Sequence, residues 1–419
     1  MVDRIQRKIP EYLDDRFTIK VLLSDDFRYH RYSYVQVPGT ISAWIDGGTA
    51  YSTTSSEYIP HDGRPVMRLS NSSSVSPNSL AYPQTGHFIP ISSGQEDTNV
   101  YSCDTGTRFR FLQKPEFSGD VLKIWWDCDD PEENPPEIFT MSSQLSDYSH
   151  DYGRYGTFRI KISTNLSAIS FNQGSGGYPT GIVEIESRNG ELKSLRGIQM
   201  CWGLRNLKAY GIREIKNECY DCYDLSSVSL PDLETITEPY ALNYMFNLVD
   251  FDFPKLSSIT ECTGVFKGNQ KIPEYRFPKL SHIPEIKNNY PFQSSMAVSS
   301  IYLPELVNVV KSSFDCCINL KQVVLDSAER IGTTGFRCCI SLEKIRLPKV
   351  KTIMNQAFLS CISLREIDIS NVRQVPVLNN VNAFAGLPAD YKVKINKDIS
   401  GDYLANATWK NIASHLSAV

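Results

Sequence analysis

A chain of 419 residues is too long for one small fold and suits two to four domains of ~100 to 200 residues each. Its 41% hydrophobic and 21% charged residues, with 24 Gly and 23 Pro, exclude wholesale disorder and collagen. A net charge of −4 gives no general pull toward nucleic acid or anionic lipid, and no run approaches the ~18 apolar residues of a membrane span, so neither is expected as a partner.

The opening residues, Met1 to Pro10, mix charges and show no apolar core or small-residue cleavage site, which predicts synthesis in the cytoplasm. Across 1–115, short apolar or aromatic runs recur at Phe17 to Leu23, Tyr32 to Val37, Ile41 to Ile45, Val66 to Leu69, His87 to Ile91 and Thr107 to Leu112. Pro-Gly, Asp-Gly-Gly, Asp-Gly and Ser-rich turns divide them, a spacing that predicts a β-rich N-terminal domain. His30, His61 and His87 lie on separate segments without chelating spacing and read as surface or turn residues.

Residues 116–175 have another texture. Val121 to Trp126 and Tyr155 to Ile162 read as two facing strands of a sandwich. Trp126-Asp127, followed by His150, Tyr152, Gly153, Tyr155, Gly156, Phe158, Ile160 and Ile162, resembles the W-G-D-G … H-x-Y-x-x-x-G-x-Y-x-V-x-I pattern of PKD-type, Ig-like domains, without the glycine after the tryptophan. That resemblance implies an Ig-like β-sandwich over 116–175. Asp127, Asp129 and Asp130, with Glu132 and Glu133, form a weak calcium candidate of hard oxygen ligands. Pro131 interrupts their spacing and no glycine supplies a sharp turn, so no metal or cofactor is predicted.

Self-similarity dominates the rest. The pattern Cys-x-x-Leu-x-x-Val-x-Leu-Pro-x-Leu-x-x-Ile recurs with its first large apolar position at 204, 225, 248, 272, 298, 320, 342 and 364, in steps of 21, 23, 24, 26, 22, 22 and 22. A unit this short cannot bury its own apolar face, whereas stacked units share a continuous core, so 176–387 is predicted to be a solenoid. Val-x-Leu reads as a short strand that the following Pro stops, Leu-x-x-Ile as the segment turning the coil, and Ala-Phe-x-x-Cys as a helical or 3-10 turn on the far side. Cysteines recur at one repeat position, which predicts reduced, buried thiols rather than bridges or zinc ligands. Gln356 to Ile369 resembles the unit A-F-x-x-C-x-x-L-x-x-I-x-L-P-x-x-x-x-x-I of BspA-type leucine-rich repeats. Residues 388–419 read as a cap, with Tyr391 to Ile395 an edge strand and Trp409, Ile412, Ala413 and Leu416 on one face of a terminal helix.

No phosphate-binding loop, Gly-x-Ser-x-Gly elbow or His-Glu-x-x-His occurs, so no enzyme is predicted. Binding is the default role of such an array. Residues flanking the buried strand positions form two exposed rows: Ser227, Asp250, Glu274, Ser300, Gln322, Lys344 and Glu366, then Ser229, Asp252, Arg276, Tyr302, Val324, Arg346 and Asp368. The candidate binding residues are Asp252, Arg276, Tyr302, Lys344, Arg346 and Asp368, with Tyr302 and Arg276 central. BspA-type repeats beside a PKD-like module, with no visible export signal, resemble bacteriophage tail or head-fibre proteins. The resemblance implies a homo-oligomeric virion component that docks on other virion proteins through 1–115 and meets host glycan or protein through the repeats. A bacterial surface adhesin is the alternative, and a glycan-cleaving enzyme the second.

Overall fold

The computed structural model describes residues 17–30, 100–113, 121–129, 135–140, 146–163, 181–188, 198, 201–219 and 222–419 except 243, 244, 246, 262, 268, 270, 287–289 and 296, together with short strands within 34–89. In β1 (Thr18–Leu23), Ile19, Val21 and Leu23 point inward and are essentially fully buried, while Thr18, Lys20 and Leu22 face the other way. There follow β2 (Phe27–His30), β3 (Val100–Cys103), β4 (Arg108–Gln113), β5 (Val121–Trp125), β6 (Glu137–Thr140), β7 (Ser146–Asp151), β8 (Gly156–Ser163) and β9 (Ile182–Ser187). Further upstream, Tyr34–Gln36 pairs with Tyr58–Pro60, and Ala43–Asp46, Thr49–Ser52, Val66–Leu69 and Gly86–Ile89 form an antiparallel sheet.

Strands β6, β5, β8, β1 and β9 lie side by side, each pair antiparallel. The two strands expected to face each other across a sandwich are therefore neighbours in one sheet, with Lys123 opposite Ser163 and Ile124 opposite Ile162. Their apolar rows, Leu122 and Ile124 beside Phe158, Ile160 and Ile162, share one side and need a common cover. That cover comes from β4 and β7, whose Phe109, Phe111 and Tyr148 join the same core, Phe111 lying 6.1 Å from Trp126. Phe27 of β2 wedges against Val183, Trp202 and Tyr223, and a Cβ at Gly203 would meet its ring at 2.2 Å, so only glycine admits the contact.

The same sheet runs on into the solenoid. Strand β9 pairs in parallel with β10 (Asn206–Ala209), then come β11 (Ser227–Ser229) and β12 (Asp250–Asp252), completing eight strands. The array continues through β13 (Glu274–Arg276), β14 (Ser300–Tyr302), β15 (Gln322–Val324), β16 (Lys344–Arg346), β17 (Glu366–Asp368), β18 (Lys392–Ile395) and β19 (Leu416–Ala418). The ladder is interrupted between β12 and β13. In other coils the residue before the strand donates its N–H one coil back, as Val249 does to Ser226 at 3.0 Å and Lys321 to Ser299 at 2.9 Å. Pro273 holds that position and has no N–H to give. A second interruption, between β15 and β16, has no proline to account for it.

The Leu-x-x-Ile runs do more than turn the coil. They form two-residue strands, among them Thr235–Ile236, Arg330–Ile331 and Thr352–Ile353, that make a second parallel ladder. On the third side the expected helical turn is replaced by successive tight turns. There the residues two before and two after the coil's Phe adopt left-handed backbone, with φ of 53° at Ser312, 60° at Cys316, 55° at Thr334 and 57° at Cys338. A helix would direct its N–H groups along its own axis, whereas this alternation aims them at the next coil. The Phe314 N–H reaches the Gly335 carbonyl at 2.8 Å and the Cys338 N–H reaches that of Leu359 at 2.9 Å. Each non-glycine residue so held costs about 1 to 2 kcal/mol, offset by the inter-coil bonds it permits.

Inside, Phe266, Phe292, Phe314, Phe336, Phe358 and Phe384 stack coil on coil at centroid spacings between 5.2 and 6.2 Å. The repeat cysteines are buried as expected, and none is disulfide-bonded among the described residues. In the later coils the thiol donates to the carbonyl of the phenylalanine one coil back, Cys317 to Phe292 at 3.5 Å, Cys339 to Phe314 at 3.1 Å and Cys361 to Phe336 at 2.9 Å, while Cys222 donates to the Ile198 carbonyl at 3.2 Å. One charged pair also braces the turn side, its acid inside and its base half-buried. Asp315, fully buried, accepts from Arg337 Nε at 2.8 Å and Nη2 at 2.6 Å and from Gln293 Nε2 at 3.0 Å, lacing three coils together.

The cap differs from expectation. The helix foreseen over Trp409 to Leu416 is instead a 3-10 segment Trp409–His415 that kinks at Ile412, followed by β19, and a short helix α1 (Ser400–Ala405) precedes it. Strand β18 is consequently not the edge, because β19 pairs in parallel beyond it, Val393 opposite Leu416. The reason is the open ladder of the last coil, which a strand can bond and a helix cannot. Trp409 closes the interior, its indole N–H donating to the Pro376 carbonyl at 2.7 Å and its ring 6.1 Å from Phe384.

Two stability tests follow from this packing. Cys339→Asp and Cys361→Asp each place an unpaired carboxylate in the stack and are expected to cost on the order of 4 to 5 kcal/mol, read as collapse of the thermal midpoint. Near-wild-type melting of both would put the sulfurs outside. Asp315→Ala should cost about 3 to 5 kcal/mol by leaving Arg337 without its partner, and adding Arg337→Met should restore part of the loss. An additive double variant would show that the pair does not act as a unit.

Candidate functional site

Each coil strand exposes two side chains around one that stacks inward. Asp250 and Asp252 flank Phe251, Glu274 and Arg276 flank Tyr275, Ser300 and Tyr302 flank Ile301, and Lys344 and Arg346 flank Ile345. Within the paired blocks the register is unshifted, so Arg276 stands beside Tyr302 and Tyr302 beside Val324, while Arg346 stands beside Asp368. Period-two alternation alone produces this face: what points away from the core lines up from coil to coil. Asp252, Arg276, Lys344 and Arg346 are exposed, and Tyr302 and Asp368 half-buried.

Of the six candidate residues, the structure joins one pair directly. The Arg276 guanidinium sits 4.1 Å from the centroid of the Tyr302 ring. Its Nη1 is also 3.5 Å from Glu274 Oε1, which accepts from the Ser300 hydroxyl at 3.5 Å. Such a stack contributes roughly 0.5 to 1 kcal/mol at an exposed site, enough to hold the ring flat without burying it. Further along, Arg346 approaches Asp326 at 3.5 Å and Asn371 Oδ1 at 3.4 Å. Asp368 is occupied by its own turn, accepting from the Ser370 N–H at 3.0 Å and hydroxyl at 2.7 Å. Lys394 lies 2.7 Å from Glu366, whose carboxylate raises the lysine pKa. Asp250, Asp252 and Lys344 have no ion-pair partner among the described residues.

The face is wider than the repeats alone indicate. Outward residues of β9 and β10 continue it, Glu184 beside Asn206 and Glu186 beside Lys208, and Lys20 of β1 stands between Arg159 and Glu184. The alternation within Ile182–Ser187 is visible in the sequence, but its partner strands are remote in the chain and carry no repeat motif.

Of the acidic loop the structure describes Asp127 and Asp129. Asp127 is half-buried, Asp129 is exposed with Arg159 Nη1 at 3.4 Å, and Asp130 lies outside the described residues. Among the described residues no group of three or more His, Cys, Asp or Glu could hold a metal. Burial pushes the thiols of Cys219, Cys317 and Cys339 well above their ordinary range, which opposes the thiolate that zinc binding requires. Calcium added after chelation is expected to leave the thermal midpoint unmoved, and a calcium-dependent rise would restore the site.

Residues 198–273 and 285–399 match the family model described as BspA type Leucine rich repeat region, in six copies. Among solved structures, a leucine-rich repeat protein from Bacteroides ovatus is 21% identical, with 56% of this chain and 66% of that chain covered and a TM-score of 0.37. This chain thus spans just under two thirds of it. A leucine rich cell surface protein from Faecalibacterium prausnitzii is 16% identical, covering 54% and 72%, with a TM-score of 0.26. The pneumococcal vaccine antigen PcpA is 16% identical, covering 62% and 84%, with a TM-score of 0.24. No curated protein matches the chain.

Proposed function

We propose that this protein, whose repeats are similar to the BspA-type leucine-rich repeats, is a non-enzymatic adhesion protein that presents the strand face of its array to a partner at a cell surface. The observation that carries the reading is the Arg276–Tyr302 stack, an aromatic platform held by a cation on a face whose inward neighbours are all committed to the core. A surface location rests on the repeat family, whose resemblance extends to surface adhesins. The comparisons lend no support to a phage particle, so the cell surface takes precedence over the virion. In this reading the strands upstream of the repeats, which share one sheet with the first coils, hold the protein on its support, 176–387 binds and 388–419 caps the array.

The full chain should bind immobilised cell-surface glycans or proteins without altering them. Tyr302→Ala and Arg276→Glu together should weaken that binding about tenfold or more while lowering the melting midpoint only slightly, since Arg276 is exposed and Tyr302 half-buried outside the core. Binding that survives the pair would overturn the assignment of the face. Reducing-end release from a polysaccharide, lost on changing one carboxylate, would make the protein an enzyme. Protease treatment of intact producing cells should release the repeats, and recovery of the chain in purified phage particles would return the virion reading.

A further inference from the structure

The charges on the strand face are not evenly mixed. At one side, on β12, Asp250 and Asp252 are both exposed and without an ion-pair partner among the described residues. In the middle, Glu274 is drawn to Arg276, and Arg276 covers Tyr302, with the uncharged Val324 beside it. At the other side, on β16, Lys344 and Arg346 are exposed. On β17, Glu366 beside Lys344 is paired by Lys394 at 2.7 Å, whereas Asp368 beside Arg346 keeps its charge and Arg346 also approaches Asp326 at 3.5 Å, so among the described residues Lys344 is the cation left without an ion-pair partner at this end. Moving along the array, the face reads acidic, then aromatic and apolar, then basic.

Four coil steps separate β12 from β16, which at about 4.8 Å per step is on the order of 20 Å. An extended polypeptide covers that distance with about six residues at roughly 3.3 Å each. The charge order selects among ligand classes. A neutral glycan would use Tyr302 and leave both charged ends idle. A sulfated or uronic glycan, or a nucleic acid, would be drawn to Lys344 and Arg346 and repelled by Asp250 and Asp252. A polypeptide readily carries both signs and an apolar group within that span, and opposed charges across an interface favour such a partner while penalising single-sign ones.

Resting on the binding reading of this face, we infer that its partner is an extended polypeptide segment with a basic block over Asp250 and Asp252, an aromatic or apolar residue against Tyr302 and Val324, and an acidic block over Lys344 and Arg346. The test pans a displayed library of random twelve-residue peptides against the full chain, with the Tyr302→Ala chain as counter-selection. Enriched peptides should carry a Lys/Arg block and an Asp/Glu block on either side of an aromatic or apolar residue. A synthetic peptide of the enriched sequence should lose about tenfold or more in affinity to the chain carrying Asp250→Lys and Asp252→Lys. Replacing the peptide's basic block by an acidic one should restore it. Enriched peptides of one charge sign, or ones indifferent to the reversal, overturn the inference and leave the face a binding surface of another kind. Tyr302-dependent retention of an arrayed glycan with no peptide enriched does the same. If neither peptide nor glycan is retained in a Tyr302-dependent way, the binding reading falls as well.

Discussion

The structure depends on one constraint: a coil of about 22 residues has two open sides, and every backbone group and apolar side chain there must be met by the neighbouring coil. Both strand ladders, the left-handed turns, the phenylalanine stack and the thiol-to-carbonyl bonds are answers to that requirement on successive sides of the coil. Cysteine suits its position because it is small, apolar and able to donate weakly to a carbonyl that already serves its own turn. The phenylalanine carbonyl of one coil accepts both the local N–H and the next coil's thiol, as Phe314 does from Cys317 at 3.2 Å and from Cys339 at 3.1 Å.

The two ends of the array solve the same problem differently. At its start, β9 bonds β10 in parallel and β1 antiparallel, so the first coil is covered by a sheet that belongs to the preceding layers. At its end, β19 adds one more parallel strand while Trp409 and Tyr403, both fully buried, plug the interior. A single core thus extends from Phe17 to Ile412. The upstream strands and the repeats are joined by backbone hydrogen bonds rather than by a linker, which ties the orientation of the exposed face to the layers before it.

That arrangement also explains why the face is available for recognition. The inward position of each strand is committed to stacking, and the flanking positions are the places where the chain can vary without disturbing the coil. Surface substitution there changes stability little, so charge and aromaticity can be arranged for a partner. Asp250, Asp252, Tyr302, Lys344 and Arg346 sit in such positions, whereas buried Asp315 and half-buried Arg337 on the turn side pair with each other and serve the fold.

Much of the array was legible in the sequence because its contacts repeat the sequence period. Leu320, Leu342 and Leu364 meet their counterparts one period away, so spacing alone predicts coil, core and exposed rows. The thiols of Cys339 and Cys361 were placed inside by the same logic. What the chain alone did not disclose depends on pairing between segments without a shared period. The antiparallel neighbours β5 and β8, the insertion of β1 between β8 and β9, and the closing strand β19 each require a partner distant in sequence, and alternation specifies a face without naming the partner. Backbone geometry was hidden for another reason: Ser312, Cys316, Thr334 and Cys338 are ordinary residues in left-handed conformations, held there only because the adjoining coil receives their hydrogen bonds. Periodicity, then, determined which residues lie inside the coils, and tertiary structure decided what closes each end, because closure is a single event that no repeat encodes.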